Sequence, residues 1–450
     1  MKTIIIIISL GLALFIFGAC GKYLDVQSNN KLVVPKELDD LQKLLDNVRV
    51  MNNNFCSRGE KACDDYFIPE NNYKVLNDVE KLDYIWEDSQ YNFSNDWSSM
   101  YNVVYVANLV LERLSKIDRN EQNATKWDGI KGAALFFRAN SYLSLLWTYS
   151  KAYQQNTAET DLGIVLRETS DFNVKSVRAS VKDSYKKVIA DLETSMSLLS
   201  MEPDHVVQPS KLAVYGSLAR AHLSMRQYDM ASKYADLYLQ RRNGLLDYNS
   251  SNEVKLTAAF PFSLFNKETT FYMELKASVL TNVYSNIDSM LYRSYDSNDL
   301  RRQAYYKVLN NVINFKGQYS GSALLFGGVA TDEMYLIRAE CLTRAGKLAE
   351  AQADLNKLLA TRYKAGTFKP YLLLAGEDLL QLILTERRKE LVYRGLRWMD
   401  IKRLNLEGQE IILKRVVDGK EYKLVPNENR YALPLPTDVV RIAGISQNPR

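Results

Sequence analysis

Two segments in the middle of the chain repeat the same pattern of small and apolar residues 120 positions apart. The first places Ala219 and Ala231, and the second Ala339 and Ala351, four and sixteen residues after a tyrosine. This spacing is typical of a tetratricopeptide repeat, a pair of antiparallel helices that approach so closely that only small side chains fit between them. The pattern therefore predicts one packed helix pair in each segment, with the four alanines as structural residues.

Apolar residues at helical spacing extend this prediction, so helix pairs are expected near residues 132–199, 210–242 and 331–363. Two stretches fall outside these pairs: residues 52–93, which are irregular and precede the first pair, and residues 243–330, which separate the last two pairs and contain strand-like runs and many tyrosines. We call them the first and the second excursion. Loops of this length often carry function, so both are candidate binding regions. Solvated excursions that hold no ligand are the alternative.

The C-terminal third, residues 376–450, contains the densest pattern of charge. On a helix, Arg387 would meet Glu390, and Glu390 would meet Arg394, as a ladder of ion pairs. Gly395 is suited to end that helix in a left-handed conformation before a second short helix. Ionic networks that lock helices together often resemble active sites, and we expect such a network here. Six residues are expected to be structural in this way: Glu386, Arg387, Glu390, Arg397, Trp398 and Asp400.

The N-terminus has the pattern of an export signal. Lys2 precedes the uncharged residues 4–19, a stretch shorter than the roughly 20 apolar residues of a spanning helix. Gly18 and Ala19 are small and stand directly before Cys20, as at the cleavage site of a lipoprotein. We expect residues 1–19 to be a signal peptide and Cys20 to be the lipidated first residue of a mature chain. A signal anchor that is never cut is the alternative.

Composition narrows the class of protein further. The 450 residues are 46% hydrophobic and 25% charged, as in ordinary folded proteins, and the low counts of 20 Gly and 10 Pro favour a mostly α fold. A net charge of +5 without a long basic run argues against a nucleic-acid surface. Two histidines are too few for a His-rich metal site, and no metal or cofactor is expected.

Cys56 and Cys63 could close a short disulfide loop or remain two free thiols, whereas Cys341 is expected to be a buried helical residue.

The order of motifs along nearly the whole chain resembles the SusD/RagB family of outer-membrane nutrient-binding lipoproteins. The resemblance begins with the lipoprotein start and the Tyr23-Leu-Asp25 opening, and continues through the helix of Trp97. It includes the Arg338-Ala-Glu340 helix, the charged C-terminal signature around Gly395, and the Leu433-Pro-Leu-Pro436 end. The fold class that it implies is a mostly α, tetratricopeptide-like right-handed superhelix with a loop-rich ligand-binding region and a few short strands.

The resemblance also implies a function. Members of the family sit on the cell outer membrane as a lid over a SusC-like TonB-dependent barrel, and they are not enzymes. We therefore expect a lipid-anchored, surface-exposed protein that binds a nutrient oligosaccharide and hands it to that transporter. Capture of oligopeptides on the same scaffold is the first alternative, and a cell-surface hydrolase is the second. A helical scaffold without a small ligand is a further alternative.

Sugar rings offer apolar C–H faces and a rim of hydroxyl groups, so a sugar site needs exposed aromatic planes beside amide, carboxylate or guanidinium groups. Both excursions supply such mixtures. The predicted ligand contacts are Tyr66, Tyr73, Trp86, Tyr91, Tyr284, Asn286, Tyr292 and Tyr295.

The lipoprotein hypothesis predicts that radiolabelled palmitate enters the native chain and does not enter a Cys20→Ser variant. The reason is that serine lacks the thiol to which the lipid is first attached. A Gly21→Ala variant, which keeps Cys20, is the control and should incorporate the label like the native chain. Label in the Cys20→Ser variant would contradict lipidation at this residue.

Overall fold

Helix dominates the part of the chain that this computed structural model describes, namely residues 35–53, 55–372 and 374–450. The signal segment and Cys20 lie outside these residues, so their assignments stay predictions. Within the described residues, no helix combines the length and the apolar character that a membrane crossing requires. The helices of the described residues are α1 (Leu38–Leu45), α2 (Val48–Met51), α3 (Arg58–Ala62), α4 (Glu70–Lys74), α5 (Asp78–Tyr84), α6 (Asp96–Leu114), α7 (Ala124–Tyr149), α8 (Val181–Leu198), α9 (Lys211–Ser224), α10 (Tyr228–Leu239), α11 (Ser289–Arg293), α12 (Arg301–Tyr305), α13 (Thr331–Arg344), α14 (Leu348–Ala360), α15 (Gly376–Glu390), α16 (Arg397–Asn405) and α17 (Thr437–Ala443).

The strands of the described residues are short, and they pair only as antiparallel couples: β1 with β6, β2 with β3, β4 with β10, β5 with β9, β7 with β8 and β11 with β12. The strands are β1 (Tyr66–Phe67), β2 (Leu162–Val165), β3 (Arg178–Ser180), β4 (Thr269–Phe271), β5 (Glu274–Leu275), β6 (Asn286–Ile287), β7 (Tyr306–Leu309), β8 (Val312–Phe315), β9 (Leu325–Phe326), β10 (Val329–Ala330), β11 (Leu413–Val417) and β12 (Lys420–Leu424). Two-stranded pieces of this length cannot build a core, so the helices must supply it. The structure thus has the mostly α fold class with few short strands that the resemblance implies.

The two alanine-spaced segments each form a helix pair, α9 with α10 and α13 with α14. In the first pair, the Ser210 hydroxyl accepts a hydrogen bond from the backbone N–H of Ala213 and so begins α9. Ala219, Ala231, Ala339 and Ala351 are fully buried. Small side chains at these positions let the helices pack closely.

The long helix α7 packs between α6 and α8 and is buried on almost every side along its second half. Arg138 on α7 fixes this arrangement. Its guanidinium donates to both carboxylate oxygens of Asp191 on α8, at 2.7 and 2.8 Å, and to the amide oxygen of Asn108 on α6, at 2.8 Å. One buried arginine therefore joins three helices.

The charged ladder that the sequence predicts along one helix does not form. Helix α15 ends before Arg394, so Arg394 has no partner one turn away and instead donates to Asp332 at 3.1 Å. Arg387 donates to Asp400 on α16 at 2.8 Å. Gly395 does adopt a left-handed conformation, with φ of 76°, and the second short helix follows it. The ion pairs join separate elements because buried charges take whichever partners the fold brings within reach.

Helix α15 holds the second excursion through buried ion pairs. Arg301 of that excursion donates to Glu390 at 2.9 Å and to Glu386 at 2.5 Å, and its own neighbour Asp299 accepts from it at 2.6 Å. Glu390 also accepts from Arg362, at 2.8 Å. All five side chains are buried, so each charge depends on its partners rather than on water.

The same C-terminal region holds the first excursion. Arg388 donates to Asp65 at 2.9 Å, and Arg397 donates to both carboxylate oxygens of Asp64, at 2.7 and 2.9 Å. Trp398 is buried against Tyr431, with ring centroids 5.0 Å apart. We call the paired residues of α15 and α16 and their partners in the excursions the anchoring network.

Replacing Glu390 by Gln should lower the free energy of unfolding by about 3 kcal/mol, because Arg301 and Arg362 would keep their buried charges and lose a shared carboxylate. Chemical denaturation measures the change. Glu159→Gln removes one carboxylate from an exposed pair with Lys182 and should cost less than about 1 kcal/mol. Equal losses in the two variants would show that the anchoring network does not stabilise the fold.

Candidate ligand-binding cleft

The structure brings the two excursions together. Strand β1 of the first excursion pairs with β6 of the second, with Tyr66 opposite Ile287 and Phe67 opposite Asn286. Nearby, the side-chain amide of Asn72 donates to two backbone oxygens of the second excursion, each at 3.1 Å. Segments more than 200 positions apart in sequence therefore form one continuous region of the surface.

Four of the eight predicted ligand contacts are buried in the core: Tyr66, Trp86, Tyr91 and Tyr295. The polar atoms of these four side chains form hydrogen bonds inside the protein, so burial does not leave them unsatisfied. The Trp86 indole N–H donates to the backbone oxygen of Ala62 at 2.9 Å, and the Tyr91 hydroxyl donates to that of Pro434 at 2.7 Å. The Tyr295 hydroxyl donates to the backbone oxygen of Lys389 at 2.7 Å. These four rings offer no face to a ligand, so the prediction of direct contact is wrong for them.

The other four predicted contacts are half-buried: Tyr73, Tyr284, Asn286 and Tyr292. Tyr292 packs edge-on against Tyr306 at a centroid distance of 5.6 Å, and the guanidinium of Arg302 lies 4.4 Å from the Tyr292 centroid. These residues lie near the junction of the excursions, and their contact with a ligand stays a prediction. None of the eight lines the cleft described next.

A cleft with a volume of about 800 Å³ lies in the second excursion. Its walls are residues 256–260, residues 280–282 and the hairpin of β7 and β8, with Gln303 and Lys316 at the junctions. This volume is within the range of small-molecule and oligosaccharide sites. We call it the excursion cleft.

The hairpin gives the excursion cleft a rigid wall. Asn310 and Asn311 have φ of 50° and 62°, the left-handed values of a tight two-residue turn that asparagine tolerates. The turn sets the register, which places Lys307 opposite Asn314 and Tyr306 opposite Phe315. After the hairpin, a side chain on Gly317 would lie 2.7 Å from the backbone oxygen of Ser322, so glycine is required there.

Side-chain hydrogen bonds tie the other two walls to the hairpin. The amide of Asn282 donates to the backbone oxygen of Phe315 at 2.8 Å and accepts from its N–H at 3.0 Å. The ammonium group of Lys316 donates to the backbone oxygens of Leu256 at 2.7 Å and Gln303 at 3.1 Å. Burial, together with the charge of Lys307, lowers the pKa of Lys316 from its ordinary value. The cleft is therefore held in shape before any ligand arrives.

The lining combines apolar and polar groups in the way that sugars require. Phe260 is 44% exposed and Leu309 is 54% exposed, so both present apolar surface to the cleft. Amide groups on Asn282, Gln303 and Asn314 can donate to or accept from hydroxyl groups. Among the described residues that line the cleft there is no carboxylate. Glycoside hydrolysis usually needs two carboxylates, so the described lining does not supply the groups of that mechanism.

The sequence does contain a signal for the β7–β8 hairpin wall, although none of the eight predicted contacts lies on it. Residues 306–309 and 312–315 are short runs rich in aromatic and β-branched residues on either side of two asparagines, which is the pattern of a hairpin. The remaining walls carry no such signal, because hydrogen bonds to distant backbone atoms define them.

The structure does not join Cys56 and Cys63 by a disulfide. Both thiols are free and buried. Cys56 accepts from the Thr148 hydroxyl at 3.4 Å, and Cys63 donates to the backbone oxygen of Glu60 at 3.0 Å. Cys341 is also buried, as predicted for a helical residue.

One group of three side chains in the described residues has donors close enough for a metal ion: Glu60, Cys63 and Asp65. Burial and the neighbouring charge of Glu60 raise the pKa of Cys63 well above its ordinary value, so the thiol keeps its proton, whereas a metal ligand must be a thiolate. Arg388 already occupies one oxygen of Asp65. We therefore assign no metal to this group.

The structure is a helical-repeat frame with a cleft in its loop-rich second excursion. Comparison with known proteins identifies the family. A SusD-like model, described as starch-binding and associating with the outer membrane, matches residues 22–223, and the SusD family model matches residues 255–449. The chain belongs to the SusD/RagB family, a family of carbohydrate-binding proteins.

Individual relatives agree with this assignment. The chain is 24% identical to SusD-like protein P2 of Formosa agariphila over 418 residues, which cover 78% of this chain and 79% of the relative. A SusD superfamily protein of Bacteroides thetaiotaomicron superposes with a TM-score of 0.75 at 20% identity, covering 92% of this chain and 100% of that one. A SusD-like carbohydrate-binding protein of Bacteroides vulgatus superposes with a TM-score of 0.68 at 20% identity, covering 91% and 97%. At this identity, the two superpositions establish the fold.

The buried carboxyl of Glu60 should make stability depend on pH. Burial and the charge of Asp65 raise the pKa of Glu60 to about 8. The folded state then holds a proton that the unfolded state releases above about pH 4.5, so this contribution to stability should fall by about 1 kcal/mol per pH unit between roughly pH 5 and 8.

Glu60→Gln should remove this dependence, because glutamine stays neutral at every pH. Denaturation of the native chain and the variant at several pH values gives the difference, in which the titrating groups that do not interact with Glu60 cancel. Glu121→Gln, at an exposed position, is the control for loss of one carboxylate. A constant difference between the native chain and Glu60→Gln from pH 5 to 8 would contradict the raised pKa.

Proposed function

We propose that this protein is an outer-membrane surface lipoprotein that binds a nutrient oligosaccharide in the excursion cleft and delivers it to a SusC-like TonB-dependent barrel. The single observation that carries the proposal is the cleft itself, where exposed apolar surface lies beside three amide side chains. Membership of a carbohydrate-binding family supports this choice of ligand.

Binding without catalysis is the activity that this lining favours. The amides can exchange hydrogen bonds with sugar hydroxyls, but neither an amide nor an alkyl-ammonium group that donates to carbonyl oxygens provides the acid and nucleophile of a glycosidase. The hydrogen bonds from Asn282 and Lys316 to the backbone keep the walls in place. The protein therefore loses less conformational entropy when a ligand binds. We therefore propose that hydrolysis is left to other proteins.

Delivery to a transporter rests on the family and on the proposed lipid at Cys20. A tether at the first mature residue would leave the folded part, from α1 onward, free to move above a membrane partner. Copurification from detergent-solubilised outer membranes tests this part of the proposal. A large β-barrel protein should copurify with the native chain, and absence of such a partner would overturn the delivery role.

Phe260→Ala should weaken oligosaccharide binding by about five- to tenfold. The variant lacks the apolar ring face on which a sugar ring can lie, and this contact contributes about 1 kcal/mol to the binding free energy. Isothermal titration calorimetry of the full chain against a panel of glycans and a peptide digest measures it. Phe172→Ala, which removes an exposed ring that stacks on Tyr105, is the matched control and should bind like the native chain.

The same titration separates the alternatives. Binding of peptides and of no glycan would replace the oligosaccharide by an oligopeptide. Release of reducing ends or of cleaved peptides by the purified chain would establish a hydrolase instead.

A further inference from the structure

Two positively charged side chains face the excursion cleft without a counter-charge. Lys307 and Lys316 both line it, and neither forms an ion pair with any described carboxylate. The described lining contains no Asp or Glu that could neutralise them. The described lining of the cleft thus contains two lysines and no carboxylate.

The two lysines also act on each other. The charge of Lys307 is one of the causes, after burial, that lower the pKa of Lys316, which means that the two ammonium groups lie close enough to repel. Lys316 cannot move away, because its ammonium group donates to two backbone oxygens that belong to two different walls. The repulsion is therefore built into the cleft.

This arrangement differs from that of three arginines elsewhere in the protein. Arg301, Arg362 and Arg403 are buried, and each is paired with at least two carboxylates. The described walls of the cleft supply no such carboxylate to the two lysines. A negatively charged group on a ligand would relieve the repulsion and gain charge-assisted hydrogen bonds.

The chemistry of the polar groups points the same way. A site for neutral sugars commonly uses carboxylates to accept hydrogen bonds from hydroxyl groups, since carboxylates are the strongest acceptors among side chains. Here the lining supplies ammonium donors and amides. Lys307 lies directly across the hairpin from Asn314, so an ammonium group and an amide stand side by side on one wall. Such a pair suits an oxyanion flanked by a hydroxyl.

We propose that the excursion cleft selects anionic oligosaccharides, in which the sugar rings carry carboxylate or sulfate groups. This inference rests on the proposed function and adds the charge class of the ligand. Carboxylate and sulfate share the chemistry that the cleft recognises, namely oxygen acceptors with a full negative charge.

The test is calorimetry of the full chain, purified in detergent, against three oligosaccharides of equal length: an oligogalacturonate, a sulfated galactan fragment and a neutral galactan fragment. The anionic ligands should bind at least about tenfold more tightly than the neutral one, and their affinity should fall as salt is added. The two anionic arms show which group, carboxylate or sulfate, is preferred.

Lys307→Gln is the decisive variant, because the Lys307 side chain is exposed and, unlike Lys316, does not connect the described walls of the cleft, so the fold does not depend on it. It should lose about tenfold in affinity for the anionic ligands and reduce their salt dependence, whereas the affinity for the neutral ligand should change by less than about twofold. Lys414→Gln, at an exposed lysine on β11, is the matched control for loss of one positive charge and should bind like the native chain.

The outcomes separate this inference from the proposed function. If the neutral galactan binds as tightly as the anionic ligands and Lys307→Gln changes nothing, the protein binds oligosaccharides and the charge selection is overturned. If no glycan binds, the proposed function fails and the inference fails with it. If acidic peptides bind in a Lys307-dependent way and no glycan does, the cleft is anion-selective for peptides and the oligosaccharide class is overturned.

Discussion

The constraint on which the structure depends is that a buried charge must meet an opposite charge. Helices α15 and α16 carry buried carboxylates and guanidinium groups on the side that faces the excursions. Glu386 and Glu390 form ion pairs with Arg301 of the second excursion, while Arg388 forms one with Asp65 of the first. Leaving any of these groups unpaired would cost several kcal/mol, so both long excursions are obliged to dock on the same short stretch of helix.

This docking explains how a loop region can hold a preorganised site. Residues in long loops usually move, and a mobile site loses binding free energy when a ligand orders it. Here the second excursion is fixed to helix α15 by Arg301 and to the segment that follows α14 by Glu268, which accepts from Arg362 at 3.0 Å. Inside the excursion, Asn282 and Lys316 connect the walls to the hairpin. The helical repeats provide the frame, and the irregular segment provides the chemistry.

Charge is distributed according to these two roles. In the frame, arginines and carboxylates neutralise each other, and where acids crowd together, as at Glu60 and Asp65, burial keeps a proton on Glu60 near neutral pH. In the excursion cleft, Lys307 and Lys316 have no carboxylate partner among the described lining residues. Carboxylates thus pair with the buried arginines Arg301, Arg362 and Arg403, whereas none of the described residues that line the cleft is a carboxylate.

The sequence by itself determined the helical frame, because a helix and its close approach to a neighbour depend on local spacing: Ala219, Ala231, Ala339 and Ala351 mark both pairs directly. It also identified the structural character of the C-terminal charges and the family. It did not determine which charges pair, since Arg387 and Glu390 meet residues from other elements. Nor did it separate core from surface aromatics: Trp86 and Tyr295 are buried because distant backbone oxygens accept from them. Partners that lie far apart in sequence become neighbours only through the tertiary fold, and those partners decide burial and the walls of the cleft.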